Sequence, residues 1–163
     1  MNESIIVKEY SSEYQSQIID LILYIQQVEY NVPITIQDQP DLLNVANFYQ
    51  NGIGNFWVAL HGDKVVGTVA LLDIHNHQAA LRKMFVAKDY RGRTSNTANF
   101  LLNNAMAWAK KIDINKIYLG TTLQFVAAHR FYEKNGFQEI SAEDLPKNFP
   151  IMKVDKKFYK YVV

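Results

Sequence analysis

Residues 84–98 have the sequence MFVAKDYRGRTSNTA, which decides the predicted fold. The apolar start predicts a strand, and the small and polar residues after it predict a loop that opens a helix near Ala98. A helix start has free backbone N–H groups and the positive end of the helix dipole, which together suit a pyrophosphate. Arg91 and Arg93 add positive charge there. The stretch alone also fits an ordinary helix start with two solvated arginines.

The beginning of the chain predicts a strand and a helix. The strand is Ile5 to Val7, and Ser12 with Gln15 suggests a capping box that opens the helix. The helix is expected to end near Asn31, before a proline. Its buried stripe consists of apolar residues at helical spacing, namely Ile18, Leu21, Ile22, Ile25 and Val28.

A second helical segment and three strands lie between this helix and the quoted stretch. The segment is expected to begin at Asp38 or Pro40 and to stop at Asn51-Gly52. Gly62-Asp63 suits a type II′ turn between the first two strands, so the three strands form an antiparallel meander. The predicted strands cover residues 56–60, 65–72 and 81–86.

The rest of the chain predicts a β-α-β unit and a last strand. Ile117 to Leu119 form a short strand, and a helix that carries Phe131 and Tyr132 follows it. Two more strands are expected at 137–140 and 158–163. The whole order predicts an α/β fold with a mixed, mainly antiparallel central sheet of six to seven strands and helices on both faces.

The composition is that of a folded protein without a global charge. Of the 163 residues 48% are hydrophobic and 20% charged, which predicts a packed core rather than a disordered chain. The net charge of +1 gives no field that would attract nucleic acid. The sequence has no cysteine, which excludes disulfides, thiolate metal sites and a cysteine nucleophile.

A second informative stretch lies one β-α unit after the first, at residues 127–137, AAHRFYEKNGF. Together the two stretches resemble the GCN5-related N-acetyltransferase (GNAT) family. In that family the pyrophosphate loop is Arg/Gln-x-x-Gly-x-Gly/Ala, and a later helix ends in Tyr-Glu-Lys-x-Gly-Phe, which matches residues 132–137. The resemblance implies a GNAT-like fold over residues 1–163 and the activity of an acyl-CoA-dependent N-acyltransferase.

The resemblance also implies where acetyl-CoA binds as cosubstrate. In the family, the strand before the loop hydrogen-bonds the pantetheine arm through its backbone, and the loop holds the pyrophosphate. No metal is expected to take part. The residues that correspond to this cofactor site are Met84, Phe85, Val86, Arg91, Gly92, Arg93, Thr94, Ser95, Asn96 and Thr97.

The chain departs from the family pattern at two places. Thr94 and Asn96 occupy the two glycine positions of the loop, although glycine allows positive φ and close approach of the phosphates. Both side chains fill space there, but both can also donate hydrogen bonds. Phe125 stands where the family usually has an asparagine, so the role of that asparagine is not transferred.

Two residues are candidates for proton transfer. Tyr132 matches the family tyrosine that protonates the departing thiolate, although a core aromatic residue would give the same pattern. Glu29 lies on the predicted buried stripe of the first helix and is the candidate base for the acceptor amine, although a solvated carboxylate at a helix end explains it as well. Tyr30, Trp57 and His129 either line the acceptor site or pack in the core.

The implied reaction is direct acetyl transfer to a primary amine in a ternary complex, with a small molecule or a peptide as acceptor. The alternative is a catalytically silent acyl-CoA or metabolite binding module on the same fold. His75-Asn76-His77 lacks a third ligand nearby, so a turn is expected there rather than a metal site. The basic residues near the end, such as Lys153, are expected to be solvated, without nucleic acid as a partner.

The sequence also suggests a location and an oligomeric state. No apolar stretch has membrane-spanning length and the start lacks the pattern of a signal peptide, so a cytoplasmic protein without a membrane partner is expected. The apolar strand at 158–163 suggests a homodimer, because an exposed strand edge can pair with another chain.

Overall fold

A computed structural model describes residues 4–163 and contains one seven-stranded sheet. The strand order is β1-β2-β3-β4-β5-β7-β6, and all neighbouring strands are antiparallel except the parallel pair β4 and β5. The strands are β1 Ile5–Glu9, β2 Asn55–His61, β3 Lys64–Asp73, β4 Gln78–Val86, β5 Lys116–Thr121, β6 Gln138–Ile140 and β7 Lys157–Val162. The α-helices are α1 Gln15–Leu23, α2 Val45–Tyr49, α3 Thr97–Ile112 and α4 Val126–Lys134.

Helices cover both faces of the sheet, as the alternation of residues along β2 requires. Phe56 and Val58 point to the face on which Ile22 of α1 packs. Between them, Trp57 belongs to the opposite face, together with Leu101 of α3. The predicted fold class, a mixed and mainly antiparallel sheet with helices on both faces, is therefore confirmed.

The first helix differs from the prediction in its last turns. Tyr24–Glu29 forms a π-helical turn, whose wider repeat shifts every later side chain relative to a regular α-helix. Consequently Val28 is 66% exposed and Gln26 takes a buried position in its place. The predicted Ser12–Gln15 capping box is also wrong, because a 3-10 turn at Ser12–Tyr14 precedes α1 and no side chain caps either element.

The second helical segment is not one helix. It consists of 3-10 turns at Ile36–Asp38 and Pro40–Leu43, followed by the five-residue helix α2. Thr35 and Asp38 form a capping box at the start of the first turn, and Gln39 and Asn44, with φ of −132° and −148°, interrupt the helical backbone after it. Of the apolar residues at helical spacing that predicted this segment, Leu42 and Tyr49 are fully buried, whereas Leu43 and Ala46 are exposed, so the pattern identified the inner side only in part.

The last strand lies inside the sheet rather than at its edge. β7 pairs with β5 on one side and with β6 on the other. The argument for a homodimer through an exposed C-terminal strand is therefore wrong, because both edges of β7 are already hydrogen-bonded. Among residues 4–163, no helix is long and apolar enough to cross a membrane.

Candidate functional site

Strands β4 and β5 separate halfway along their length. They pair only at Gln78 to Ala80, opposite Lys116 to Tyr118, and diverge beyond these residues. A β-bulge bends β4 at Lys83, which has a φ of +54°. The edge of β4 that faces β5 is therefore unpaired at Met84 to Val86, and a cleft opens there.

An apolar cavity of about 250 Å³ fills this cleft. Its wall includes five of the residues expected to bind the cofactor, which are Met84, Phe85, Val86, Arg91 and Gly92. Ala128 and Phe131 close it from the side of α4, and Tyr30 closes it from the π-helical turn. Because the unpaired backbone of β4 lies on this wall, its N–H and C=O groups can bind an extended ligand.

The loop after β4 leads directly to the start of α3. Asn96 is the N-cap residue and has a φ of +55°, the left-handed conformation that the family's glycine would provide. No side chain caps α3, so the N–H groups of its first turn keep free donors. The hydroxyl of Thr97 is buried without a hydrogen-bond partner in the described part of the chain. Thr94 and Arg93 are exposed in the loop.

Arg91, on the wall of the apolar cavity, forms a bidentate ion pair with Glu29. Both Nη atoms of Arg91 donate to the Glu29 carboxylate, and Nε donates to the carbonyl oxygen of Val86 at 2.8 Å. The guanidinium also lies over the ring of Tyr30. Its hydrogen bonds to Glu29 raise the pKa of Arg91 further above its ordinary value. The structure therefore brings together the predicted base and the predicted phosphate ligand.

A second, polar cavity of about 90 Å³ lies on the other side of the β4 bulge. Met84, Phe85 and Phe125 line both cavities, so the two meet at these side chains. The ring of Phe125 stands edge-on to Tyr30 at 5.0 Å and to Phe85 at 6.0 Å between centroids. Glu29 does not line the polar cavity.

Lys83 is held in a buried polar network beside the polar cavity. Its Nζ atom donates to Gln39 Oε1 at 2.6 Å and lies 3.4 Å from a carboxylate oxygen of Asp41. Tyr49 donates its hydroxyl to the same carboxylate at 2.5 Å, and Gln26 exchanges hydrogen bonds with Gln39. Burial lowers the pKa of Lys83 to about 8, although the charge of Asp41 opposes this shift.

Tyr132 lies behind the apolar cavity rather than on its wall. Its ring packs in an aromatic cluster with Phe137 at 5.6 Å and Tyr159 at 5.9 Å, and the residue is only 5% exposed. Burial raises the pKa of its phenol, which keeps the hydroxyl protonated. The neighbouring Phe131 lines the cavity, whereas Tyr132 does not.

The other residues that the sequence suggested for the site occupy positions in the core or in a turn. The ring of Trp57 packs edge-on against Trp108 in the core, and His129 is buried with Nε2 2.9 Å from the carbonyl oxygen of Thr122. His75 and His77 belong to a turn in which both have a positive φ. No group of three or more metal-ligating side chains occurs within residues 4–163.

Several residues of the site were not identified from the sequence. Arg82 and Lys83 interrupt an otherwise apolar strand, and this break in the pattern was the available signal. Asp41 and Asp155 gave no such signal, because they lie in irregular segments far from β4 in the sequence. The sequence indicated Phe125 only as the residue that replaces an asparagine of the family pattern.

Comparisons with known proteins agree with this geometry. The sequence model described as "Acetyltransferase (GNAT) family" matches residues 19–137. An N-acetylaspartate synthetase from Xenopus tropicalis is 34% identical over 102 residues, which are 61% of this chain and 37% of that protein. The human N-acetylaspartate synthetase is 31% identical over 105 residues, 64% of this chain and 34% of that protein. The chain thus spans about a third of these relatives.

Solved structures match over nearly the whole chain. An acetyltransferase of the GNAT family from Staphylococcus aureus Mu50 is 41% identical and covers 98% of this chain and 99% of its own, with a TM-score of 0.94. An acetyltransferase from Streptococcus agalactiae 2603 is 33% identical with the same coverage and a TM-score of 0.93. An N-acetyltransferase from Thermoplasma acidophilum, solved in complex with coenzyme A, shares the fold at 17% identity, 98% and 99% coverage and a TM-score of 0.75. The chain belongs to the GNAT family of acetyltransferases.

Proposed function

We propose that this chain transfers an acetyl group from acetyl-CoA to a primary amine by direct attack in a ternary complex. The observation that carries the proposal is the meeting of the two cavities at Met84, Phe85 and Phe125. The apolar cavity runs along an unpaired strand edge toward an uncapped helix start, whereas the polar cavity is lined by charged side chains such as Arg82, Lys83 and Asp155. A thioester in the first and an amine in the second would be in contact.

The residues present fit acetyl-CoA, which supplies the activated acyl group. Free N–H groups at the start of α3 can bind the pyrophosphate, and the exposed Arg93 adds charge. The unpaired backbone of Met84 to Val86 can bind the pantetheine arm, and one N–H there can polarise the thioester carbonyl. The proposed cofactor site is the set named from the sequence, residues 84–86 and 91–97.

In the proposed reaction the acceptor ammonium first releases one proton to solvent, and the neutral amine attacks the thioester carbonyl carbon. A C–N bond forms, the C–S bond breaks, and Tyr132 donates its proton to the leaving thiolate. The nitrogen releases a second proton to solvent as the amide forms, and solvent returns a proton to Tyr132. The raised pKa of Tyr132 keeps that proton available over the working pH range. Because the sequence has no cysteine, the acyl group cannot pass through a cysteine thioester of this chain.

Calorimetry with acetyl-CoA, followed by a thiol-release assay, tests the proposal. We expect binding in the micromolar range and release of CoA thiol with at least one acceptor from a panel of amines, polyamines, peptides and amino acids. The panel includes aspartate because of the name of the curated relatives. Binding without turnover would favour the silent binding module instead. The absence of binding at high micromolar acetyl-CoA would contradict both functions.

Replacing Glu29 by glutamine tests whether this residue is the general base or only an ion-pair partner of Arg91. Because the carboxylate is bound by Arg91 and does not line the polar cavity, we expect Glu29→Gln to leave the pH dependence of turnover unchanged. We also expect KM for acetyl-CoA to fall a few-fold, since the freed guanidinium can attract the pyrophosphate. Steady-state kinetics from pH 6 to 9 measures both effects, with the exposed Glu13→Gln as control. A displaced pH profile would restore Glu29 as the base.

The double replacement Thr94→Gly and Asn96→Gly tests the departures from the family loop. Asn96 already has the positive φ that glycine favours, so the fold should tolerate the change. We expect acetyl-CoA to bind a few-fold more tightly in calorimetry, because the backbone can approach the phosphates more closely. Weaker binding would show that the two side chains donate hydrogen bonds to the ligand, and the single variants assign the effect.

A further inference from the structure

Two opposite charges on the wall of the polar cavity, Arg82 and Asp155, have no partner at salt-bridge distance among the described residues. Arg82 makes one side-chain hydrogen bond, from Nη2 to Met152 Sδ at 3.1 Å, and no carboxylate lies within salt-bridge distance of it. Asp155 accepts a hydrogen bond from the backbone N–H of Met152 at 2.9 Å and has no cation at that distance. Each residue therefore has unused hydrogen-bonding capacity beside an open space.

The neighbouring Lys83, in contrast, already has a charged partner. Asp41 and Gln39 already bind its ammonium group within a network that also includes Tyr49. The unpaired cation of the cavity is therefore Arg82, whose guanidinium is held over the rings of Phe48 and Tyr49. A planar guanidinium fixed in this way presents parallel N–H donors to a carboxylate.

The position of Asp155 is built into β5. A side-chain Cβ at Gly120 would lie 2.7 Å from Asp155 Oδ2, so only glycine leaves room for the carboxylate against this strand. Burial raises the pKa of Asp155, while Arg82 and Lys83 are near enough to oppose the shift. A partly desolvated carboxylate without a cation is unfavourable unless a ligand supplies the positive charge.

A third group in the same cavity also lacks a partner. The hydroxyl of Thr122 is buried and forms no hydrogen bond within the described part of the chain, although Thr122 contributes to the cavity wall. Buried polar atoms in folded proteins are nearly always paired, with protein, water or a ligand. The polar cavity thus combines an unpaired cation, an unpaired anion and an orphan hydroxyl.

We propose that the acceptor is a small zwitterionic amino acid, whose carboxylate binds Arg82 and whose amino group binds Asp155. The inference rests on the proposed acetyltransferase function, and it names the substrate class of that site. A zwitterion supplies one opposite charge to each unpaired residue, so the cavity remains neutral when it is filled. The cavity of about 90 Å³ holds only a few heavy atoms, which agrees with the compact backbone of an amino acid.

Matched substrate pairs test the proposal on the wild-type protein. Each pair consists of an amino acid and the amine that lacks only its carboxylate: alanine with ethylamine, phenylalanine with phenethylamine, and lysine with cadaverine. We expect kcat/KM for the better amino acids to exceed that of the matched amine by about 10- to 100-fold, the effect of one charged hydrogen-bonding group. Equal values across the pairs, or a preference for the amines, would overturn the proposal.

Variants of the two residues locate the effect. We expect Arg82→Gln to reduce the preference within a pair by about tenfold or more, through a higher KM for the amino acid at unchanged KM for acetyl-CoA. Arg82→Lys keeps the charge but not the parallel donors, so its preference for the amino acid should lie between those of the wild type and Arg82→Gln. Asp155→Asn should weaken the binding of amino acid and amine alike, because both present an amino group. Thermal unfolding establishes that each variant is folded.

The experiment separates failure of this inference from failure of the proposed function. If acetyl-CoA binds and amines without a carboxylate are acetylated as fast as amino acids, the acceptor proposal is wrong and the transferase function stands. If Arg82→Gln is folded and keeps the full preference, another residue binds the carboxylate and the assignment to Arg82 is wrong. If acetyl-CoA does not bind, the proposed function itself fails and the inference fails with it.

Discussion

Lys83→Met is expected to lower the free energy of unfolding by about 3 kcal/mol. The side chains of Lys83 and Asp41 are only 5% and 4% exposed, so the replacement leaves a buried carboxylate without its cation. Urea unfolding of the two proteins measures the difference. Lys153→Met is the matched control, because Lys153 is 58% exposed in its pair with Asp38 and such surface pairs contribute about 1 kcal/mol or less. Equal losses of unfolding free energy for the two variants would show that the buried Lys83–Asp41 pair stabilises the fold no more than a surface pair.

The pH dependence of stability gives an independent check on the same lysine. Burial lowers the pKa of Lys83 from 10.5 to about 8 in the folded chain, so between these values the unfolded chain binds more protons. Stability therefore rises with pH in this window, by at most about 1.4 kcal/mol per pH unit. The difference between wild type and Lys83→Met should grow from pH 8 to 10. A constant difference would mean that Lys83 titrates normally.

Tyr132→Phe is expected to reduce kcat by about 100-fold, the usual contribution of a positioned proton donor. The replacement keeps the ring in its aromatic cluster, so thermal stability and the affinity for acetyl-CoA should change little. Stopped-time assays of thiol release at saturating acetyl-CoA measure the effect.

The control for this prediction is Tyr118→Phe. Tyr118 is buried to the same 5% exposure but packs with Phe149 and Phe158 in a separate cluster. It should therefore retain wild-type turnover. Turnover of Tyr132→Phe at the wild-type rate would remove Tyr132 from the mechanism and leave it a core residue.

The fold was predictable because local patterns specify it. Alternating apolar residues identified the strands, and the small-residue loop after Val86 identified the start of α3. The two motifs then indicated the family, which the comparisons confirm. The errors arose where hydrogen-bonding departs from regular spacing: the π-helical turn that exposes Val28, and the short 3-10 turns before α2.

The candidate site was less predictable, because side chains far apart in the sequence determine it. Arg91 pairs with Glu29 across 62 positions, and Lys83 reaches Gln39 across 44. The sequence shows which of these residues are charged or polar, but no periodic pattern indicates which distant residue will be the partner of each. For the same reason the sequence did not indicate that Arg82 and Asp155 line the same cavity.

The wall that the two cavities share has a thermodynamic consequence. Met84 and Phe85 contribute to both cavities, and they follow directly on the bulge at Lys83. A ligand in one cavity that favours a particular position of this short segment also changes the free energy of binding in the other. Such coupling is reciprocal: the factor by which acetyl-CoA changes the affinity for the amine must equal the factor by which the amine changes the affinity for acetyl-CoA.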